Sequence, residues 1–254
     1  MKNIFKKRIF SDEEILELRK LVENNYDFYS NIKFSELNCD DPIYEYLFSD
    51  KLLQFLESNL KDEVYLIGES IIQKNNRTYE KVRYHRDSGK THQSDILSDK
   101  KNIYGKIGIP LQDNIKSEGG GIDYLKPFFL DNFSDKNKIL NKLRALYYIL
   151  QDKFSDTHLY TKAGDVIFFS AMLSHRTSYT DKSKVVNLKD KYVIYYQLAN
   201  YNTIKNVLKV TRKQQEDLDL KNLQKEIITI NIKGKKIKIL GEGISKEVSS
   251  YMGL

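Results

Sequence analysis

The sequence predicts a mainly β fold with flanking helices, an antiparallel sandwich or barrel, on three observations. Strand-like runs rich in Val, Ile, Tyr and Phe recur from Val64 to Leu198. Few helical stretches separate them. Two helical stretches are expected ahead of the first such run, one after Ser11–Glu14 and one from Asp50.

Ser11-Asp-Glu-Glu14 reads as a capping box, Ser at the N-cap and Glu at N3. Ile15, Leu18, Leu21 and Val22 then follow at helical spacing. A second helix is expected from Asp50, with Leu52, Leu53, Leu56 and Leu60 as its apolar stripe. Both helices are expected to cover one face of a sheet. Strands are expected at Val64–Gly68, Ser70–Gln73, Lys81–His85 and within Asn102–Gln112. Glu118-Gly-Gly-Gly121 is a breaker before the short apolar segment Ile122–Leu125. Ser134–Gln151 is expected to be helical, with Ile139, Leu143, Leu146 and Leu150 in phase. His158–Thr161 and Asp165–Ser170 read as strands joined at Gly164, and Lys191–Leu198 as another. The region after Asn200 is expected to hold a helix near Arg212–Gln224 and a hairpin of Ile227–Ile232 with Lys235–Leu240, its tip charged by Lys233-Gly-Lys-Lys236.

A chain of 254 residues suits one domain with appendages. Residues 1–204 are expected to form the core domain with its N-terminal helices, and 205–254 a C-terminal helix and β-hairpin appendage packed on it. Apolar content of 40% and charged content of 30% belong to a soluble globular protein. No apolar run reaches the roughly 18–20 residues of a membrane span. The basic start, Met1–Phe10, lacks the apolar stretch of a signal peptide, so a cytoplasmic location is expected. A single cysteine, Cys39, excludes an intrachain disulfide framework and a cysteine-rich metal site. The net charge of +7 admits an anionic partner. Lysine is spread along the whole chain, however, so the charge reads mainly as solvation.

The chemistry is concentrated in His85-Arg-Asp87 and in His175, ninety positions on. Two imidazoles and one carboxylate are the ligand set of the facial triad that holds non-haem Fe(II) and leaves positions open for substrate and dioxygen. His85 and Asp87 lie two apart at an expected strand end, so both can face one side while Arg86 faces away. His175 follows Ala163–Ser170, a tight turn and a buried strand. Ligands from two strands of one barrel mouth would make a preorganised site. Both imidazoles must be neutral to ligate, so metal affinity should weaken in acid.

His85-x-Asp87, Ala163-Gly-Asp-Val-Ile-Phe-Phe-Ser170 and His175-x-Thr177, in this order, resemble the Fe(II)/2-oxoglutarate-dependent oxygenases, most closely the phytanoyl-CoA dioxygenase-like branch. The resemblance runs from about Ser70 to Asn200. It implies a double-stranded β-helix (jelly-roll, cupin-like) core with iron in its mouth. It implies Fe(II) on His85, Asp87 and His175, with 2-oxoglutarate and O2 as cosubstrates. Hydroxylation of a C–H bond would then accompany release of succinate and CO2. The family takes a cation for the distal carboxylate of 2-oxoglutarate from an Arg that opens the last core strand. Here Lys191 opens it, sixteen residues after His175. Lys is a point charge without the guanidinium fork. Lys184 is the rival by spacing, and Lys74 and Lys106 on early strands are further candidates. Thr177 resembles the hydroxyl residue that helps to bind the cosubstrate. After Gly121 the chain departs from its relatives with an insert over residues 126–155, either a lid or substrate wall or a helix packed outside the barrel. A carboxylate at Asp87, where halogenases carry Gly or Ala, disfavours halogenation.

The expected partner is a small organic substrate, and an anionic one would suit the basic balance. Two other readings stand beside this one: a non-catalytic cupin-like metal- or ligand-binding protein, and an oxygenase acting on nucleic acid. The second is disfavoured, because the chain shows no base-stacking motif or recognition helix. His92 is expected on an exposed loop, Ser88–Lys100, over the metal. His158 is expected to make an ordinary hydrogen bond.

Overall fold

In the computed structural model, an alternation of side chains along β-strands separates a helix-covered face from an interior face. The structure describes residues 4–25, 31–33, 41–74, 78–87, 96–97, 99, 101–126, 138–154, 157–185, 190–212, 227–232, 235–240 and 242–251. The elements run β1 (Ile4–Arg8), α1 (Asp12–Asn25), β2 (Asn31–Lys33), α2 (Ile43–Leu47), α3 (Asp50–Leu60), β3 (Val64–Lys74), β4 (Tyr104–Pro110) and β5 (Ile122–Tyr124). They continue with α4 (Lys138–Phe154), β6 (His158–Leu159), β7 (Asp165–Ser170), β8 (His175–Thr177), β9 (Tyr192–Asn200), α5 (Tyr201–Thr211), β10 (Ile227–Ile232), β11 (Lys235–Leu240) and α6 (Glu242–Tyr251).

The large sheet has the order β1-β7-β4-β9-β3-β11-β10, with β2 also paired to β3; the small sheet is β6-β5-β8. Nearly all pairs are antiparallel, the exception being the parallel contact of β11 with β3. Two sheets of this kind facing each other make the expected jelly-roll.

Period-2 alternation assigns the faces. Ile107, Ile109, Val166, Phe168, Ile194, Tyr196 and Leu198 pack in one cluster with Phe10, Ile15, Leu18, Val22, Ile43, Leu52, Phe55 and Leu56 from the N-terminal helices. The intervening residues point the other way, toward the small sheet: Lys106, Phe169, Tyr195 and Gln197 line the interior. The capping box forms as expected, with the Ser11 amide donating to Glu14 Oε2 at 2.8 Å and the Glu14 amide to Ser11 Oγ at 3.2 Å. Gly164 adopts φ +89, and a Cβ there would lie 2.4 Å from the Phe10 carbonyl oxygen. Only glycine fits this turn, which lets β7 run back against β1.

Several expectations need correction. The two strands expected at Val64–Gly68 and Ser70–Gln73 are one strand, β3, with a register shift between Ile67 and Ile71. Residues 81–84 are irregular, and His85 makes only an isolated bridge, to His175. α4 forms where a helix was expected, and its in-phase residues Ile139, Leu143, Leu146 and Leu150 are exposed. A helix that carried no sequence expectation, α5, spans Tyr201–Thr211, capped by Asn200, whose side chain accepts from the Thr203 amide. Of the helix expected near Arg212–Gln224, Arg212 is the C-cap of α5 and residues 213–224 lie outside the described residues. β1, α2 and α6 carried no sequence expectation; β1 is a half-exposed basic strand, and its register on β7 supplies the order.

The hairpin of β10 and β11 forms as expected, and its tip, Lys233-Gly234, lies outside the described residues. β11 extends the large sheet, and α5 and α6 share a buried cluster with Tyr65, Ile67, Tyr104 and Ala199. The division expected at 204/205 falls inside α5. Among the described residues, no helix is long and apolar enough to cross a membrane.

Candidate metal centre

His85 and His175 meet through their backbones. The His85 amide donates to the His175 carbonyl at 3.0 Å, and the His175 amide donates back at 2.8 Å. This bridge fastens the His85 segment to the edge of β8, so the small sheet carries both imidazoles. Their ring centroids lie 4.7 Å apart. Asp87, two residues on, is buried and reaches both: Oδ1 is 4.0 Å from His85 Nε2 and Oδ2 is 3.9 Å from His175 Nε2. One ligand atom from each of the three lies within 4.8 Å of the others. Arg86 turns away to α4, where its guanidinium donates to the Tyr148 hydroxyl at 3.0 Å.

The donor set fits a metal ion. Asp87 Oδ2 is buried and has no hydrogen-bond partner. A buried carboxylate oxygen without a donor is costly unless a cation compensates it. The Lys106 ammonium lies 3.2 Å from Oδ2, a Coulombic contact without hydrogen-bond geometry. His175 is oriented as metal-binding histidines are: Nδ1 lies 2.9 Å from the Leu173 carbonyl oxygen. That bond keeps the proton on Nδ1 and leaves the Nε2 lone pair toward Asp87. Burial holds the His175 imidazole below its ordinary pKa, against the opposing pull of Asp87, which favours the neutral form that can ligate. Two imidazole nitrogens and one carboxylate suit a first-row metal such as Fe(II).

A polar cluster braces this edge from behind. Asp123 on β5 pairs in register with Arg176, and Arg176 Nε donates to Asp123 Oδ2 at 3.2 Å. His158 Nδ1 and Ser178 Oγ each lie 2.8 Å from Asp123 Oδ1. Burial raises the Asp123 carboxyl, but the bonds from His158, Ser178 and Arg176 outweigh it and hold the group below its ordinary pKa. The Arg176 guanidinium also covers the Tyr84 ring at 4.1 Å. Arg176 thus ties the residue before His85 to the residue after His175.

The three ligand candidates open onto a cavity of about 230 Å³. Its other walls are Ile71, Gln73, Lys106, Ile122, Phe169, Arg176, Thr177, Tyr195 and Gln197. Of the residues expected to hold 2-oxoglutarate, Thr177 lines the cavity and Lys191 does not. Lys191 is 2% exposed; its ammonium donates to the carbonyls of Asp113 at 3.2 Å and Gly119 at 3.0 Å, and lies 3.4 Å from Glu118 Oε2. Lys184 is largely exposed beside Asp181, and Lys74 lies 3.4 Å from Asp190. Lys106 is on the cavity wall. His158 is in the bracing cluster, and His92 lies outside the described residues. Gln73, Tyr195 and Gln197 were not foreseen as site residues. Their signal was a polar residue on the interior register of a buried strand.

No family model matches the chain, and no curated protein matches it by sequence. Solved structures do match. HygX from Streptomyces hygroscopicus, with nickel and 2-oxoglutarate bound, superposes with a TM-score of 0.53 at 15% identity, over 78% of this chain and 83% of that one. EctD from S. alaskensis, with 2-oxoglutarate and 5-hydroxyectoine, gives 0.52 at 15% over 78% and 72%. AviO1 from Streptomyces viridochromogenes Tue57 gives 0.51 at 14% over 78% and 90%. The fold is that of the double-stranded β-helix oxygenases. Within that fold, the cavity sits between the two sheets and the His-Asp-His set at its mouth.

Proposed function

We propose that the protein is an Fe(II)- and 2-oxoglutarate-dependent oxygenase that hydroxylates a C–H bond of a small organic molecule. One observation carries this reading: His85, Asp87 and His175 converge at the mouth of a cavity, with one buried carboxylate oxygen lacking a hydrogen-bond donor. His85, Asp87 and His175 would hold the metal through two nitrogens and one oxygen on one side, leaving the cavity side open. The bound metal supplies the means to activate dioxygen as 2-oxoglutarate is decarboxylated to succinate.

The chain's own residues do the rest. The Leu173 carbonyl fixes the His175 tautomer, and the His85–His175 backbone bridge fixes the spacing of the rings. Ile71, Ile122 and Phe169 exclude water from one side of the cavity. Thr177 offers a hydroxyl and Lys106 a positive charge to an anionic cosubstrate. Gln73, Gln197 and Tyr195 offer hydrogen bonds that can orient a polar substrate. HygX and EctD, structures with 2-oxoglutarate bound, support this cosubstrate.

Anaerobic titration of the metal-free protein with Fe(II) and 2-oxoglutarate, followed by visible absorption, tests the reading. The expected result is a weak charge-transfer band that needs both components and is lost in Asp87→Ala. Metal binding without such a band would replace the reading with a cupin-like binder. Binding of DNA or RNA with a steep salt dependence would instead favour a nucleic-acid substrate.

A further inference from the structure

Lys106 sits where two demands meet. It occupies the interior register of β4, opposite Phe169 on β7 and Gln197 on β9, next to the outward-facing Ile107. Its Cα is therefore fixed by the sheet, while its stem is free to swing within the cavity. Its ammonium lies 3.2 Å from Asp87 Oδ2, one of the two carboxylate oxygens within reach of a metal ion on this set. Two positive groups cannot share that oxygen without repelling each other. A metal ion that took Oδ2 would displace the ammonium into the cavity. Among the described residues of the wall, the other cation, Arg176, is committed to Asp123 and the Tyr84 ring. Lys191 is held by two carbonyls and Glu118, off the cavity.

We propose that Lys106 is an exchangeable cation. It pairs with Asp87 when no metal is bound, and turns to the distal carboxylate of 2-oxoglutarate once a metal has taken Asp87. The proposal rests on the function proposed above. It couples the two binding events: the metal releases the charge that the dicarboxylate needs. It also explains how a chain whose last core strand opens with an engaged lysine can still hold a dicarboxylate.

The test is calorimetric titration of the metal-free protein with nickel, then of the nickel-loaded protein with 2-oxoglutarate and with 2-oxovalerate, which lacks the distal carboxylate. Lys106→Met should bind nickel about tenfold more tightly, because a competing cation is gone. It should bind 2-oxoglutarate about tenfold more weakly and 2-oxovalerate unchanged, a pairwise difference that isolates the carboxylate contact. Lys106→Arg should keep the preference for 2-oxoglutarate. Removing the lysine leaves Asp87 uncompensated, so thermal unfolding with and without nickel accompanies each variant; nickel should raise the midpoint of Lys106→Met more than that of the wild type. Unchanged nickel affinity, or an unchanged preference for 2-oxoglutarate over 2-oxovalerate, overturns the proposal. A wild-type protein that binds nickel but no 2-oxoglutarate overturns the proposed function as well. A wild type that prefers 2-oxoglutarate, beside a Lys106→Met that prefers it equally, overturns the role of Lys106 alone.

Discussion

His85 and His175 exchange both backbone hydrogen bonds across the rim of the barrel, at 3.0 and 2.8 Å. Among the described residues, the segment around His85 joins the sheets through this bridge and an isolated one of Thr78 with Tyr179. The position of one metal-ligand candidate therefore depends on the backbone of the other. Replacing His175 by Ala keeps the backbone bridge and removes the imidazole, whereas Arg176→Ala removes the brace over Tyr84. Arg176→Ala should weaken metal binding by about tenfold, the scale of losing support behind a ligand, with all three ligands still present. Nickel titration of the two variants checks this; unchanged affinity in Arg176→Ala would show that the bridge suffices alone.

The protonation of His175 reports its burial. Its imidazole should lose its proton below pH 6.5 in the metal-free protein, because burial disfavours the charged form. Asp87 opposes that shift, so Asp87→Asn should lower the midpoint further. A depressed histidine pKa means that the unfolded chain binds more protons, so stability rises with pH across this window. It is fully present above 6.5 and declines as pH falls through the depressed value. NMR titration of the imidazole signals measures the midpoints, and a His175 midpoint above 6.5 would contradict the buried placement.

Asp123 gives a second pH signature, in more acidic solution. Its carboxyl is held below its ordinary 3.8 by His158, Ser178 and Arg176 despite burial. The stability it contributes is complete above pH 3.8 and is lost as pH falls through the lowered value. Asp123→Asn should unfold more easily at pH 6 and show a shallower loss of stability between pH 5 and 3 than the wild type. Urea unfolding over this range checks it.

Lys191 should matter for stability. Its ammonium is buried among two carbonyls and Glu118. Lys191→Met leaves those acceptors without their cation, at a cost of about 3–5 kcal/mol. The fraction that remains folded should bind 2-oxoglutarate with unchanged affinity. A large loss of 2-oxoglutarate affinity with stability intact would return the cosubstrate anchor to Lys191.

Packing beside the site is tight at Gly105. A Cβ there would lie 2.6 Å from both the Phe168 ring and the Phe169 carbonyl oxygen. Gly105→Ala should destabilise the fold by about 1–3 kcal/mol or more through overpacking. It should also disturb the neighbouring Lys106. Chemical denaturation and the nickel titration measure the two effects separately.

Local sequence determined a good part of this protein. The capping box before α1 and the stripes of α1 and α3 depend on contacts a few residues apart. The same holds for the turn at Gly164 and the period-2 pattern of β4, β7 and β9. The spacing of His85 and Asp87 belongs to the same class, as does the position of His175 after a buried strand. Only the tertiary structure decided the rest. β1 and the His85 segment have little apolar pattern of their own, and their conformation comes from the backbones they pair with. α4 turns its in-phase leucines outward, because periodicity defines a stripe but not what covers it. The roles of the lysines were least legible. Lys106, Lys184 and Lys191 are alike in sequence, and they are separated by burial and by partners up to 78 residues away. A long flexible side chain with one charge takes its function from whichever acceptor the fold brings within reach.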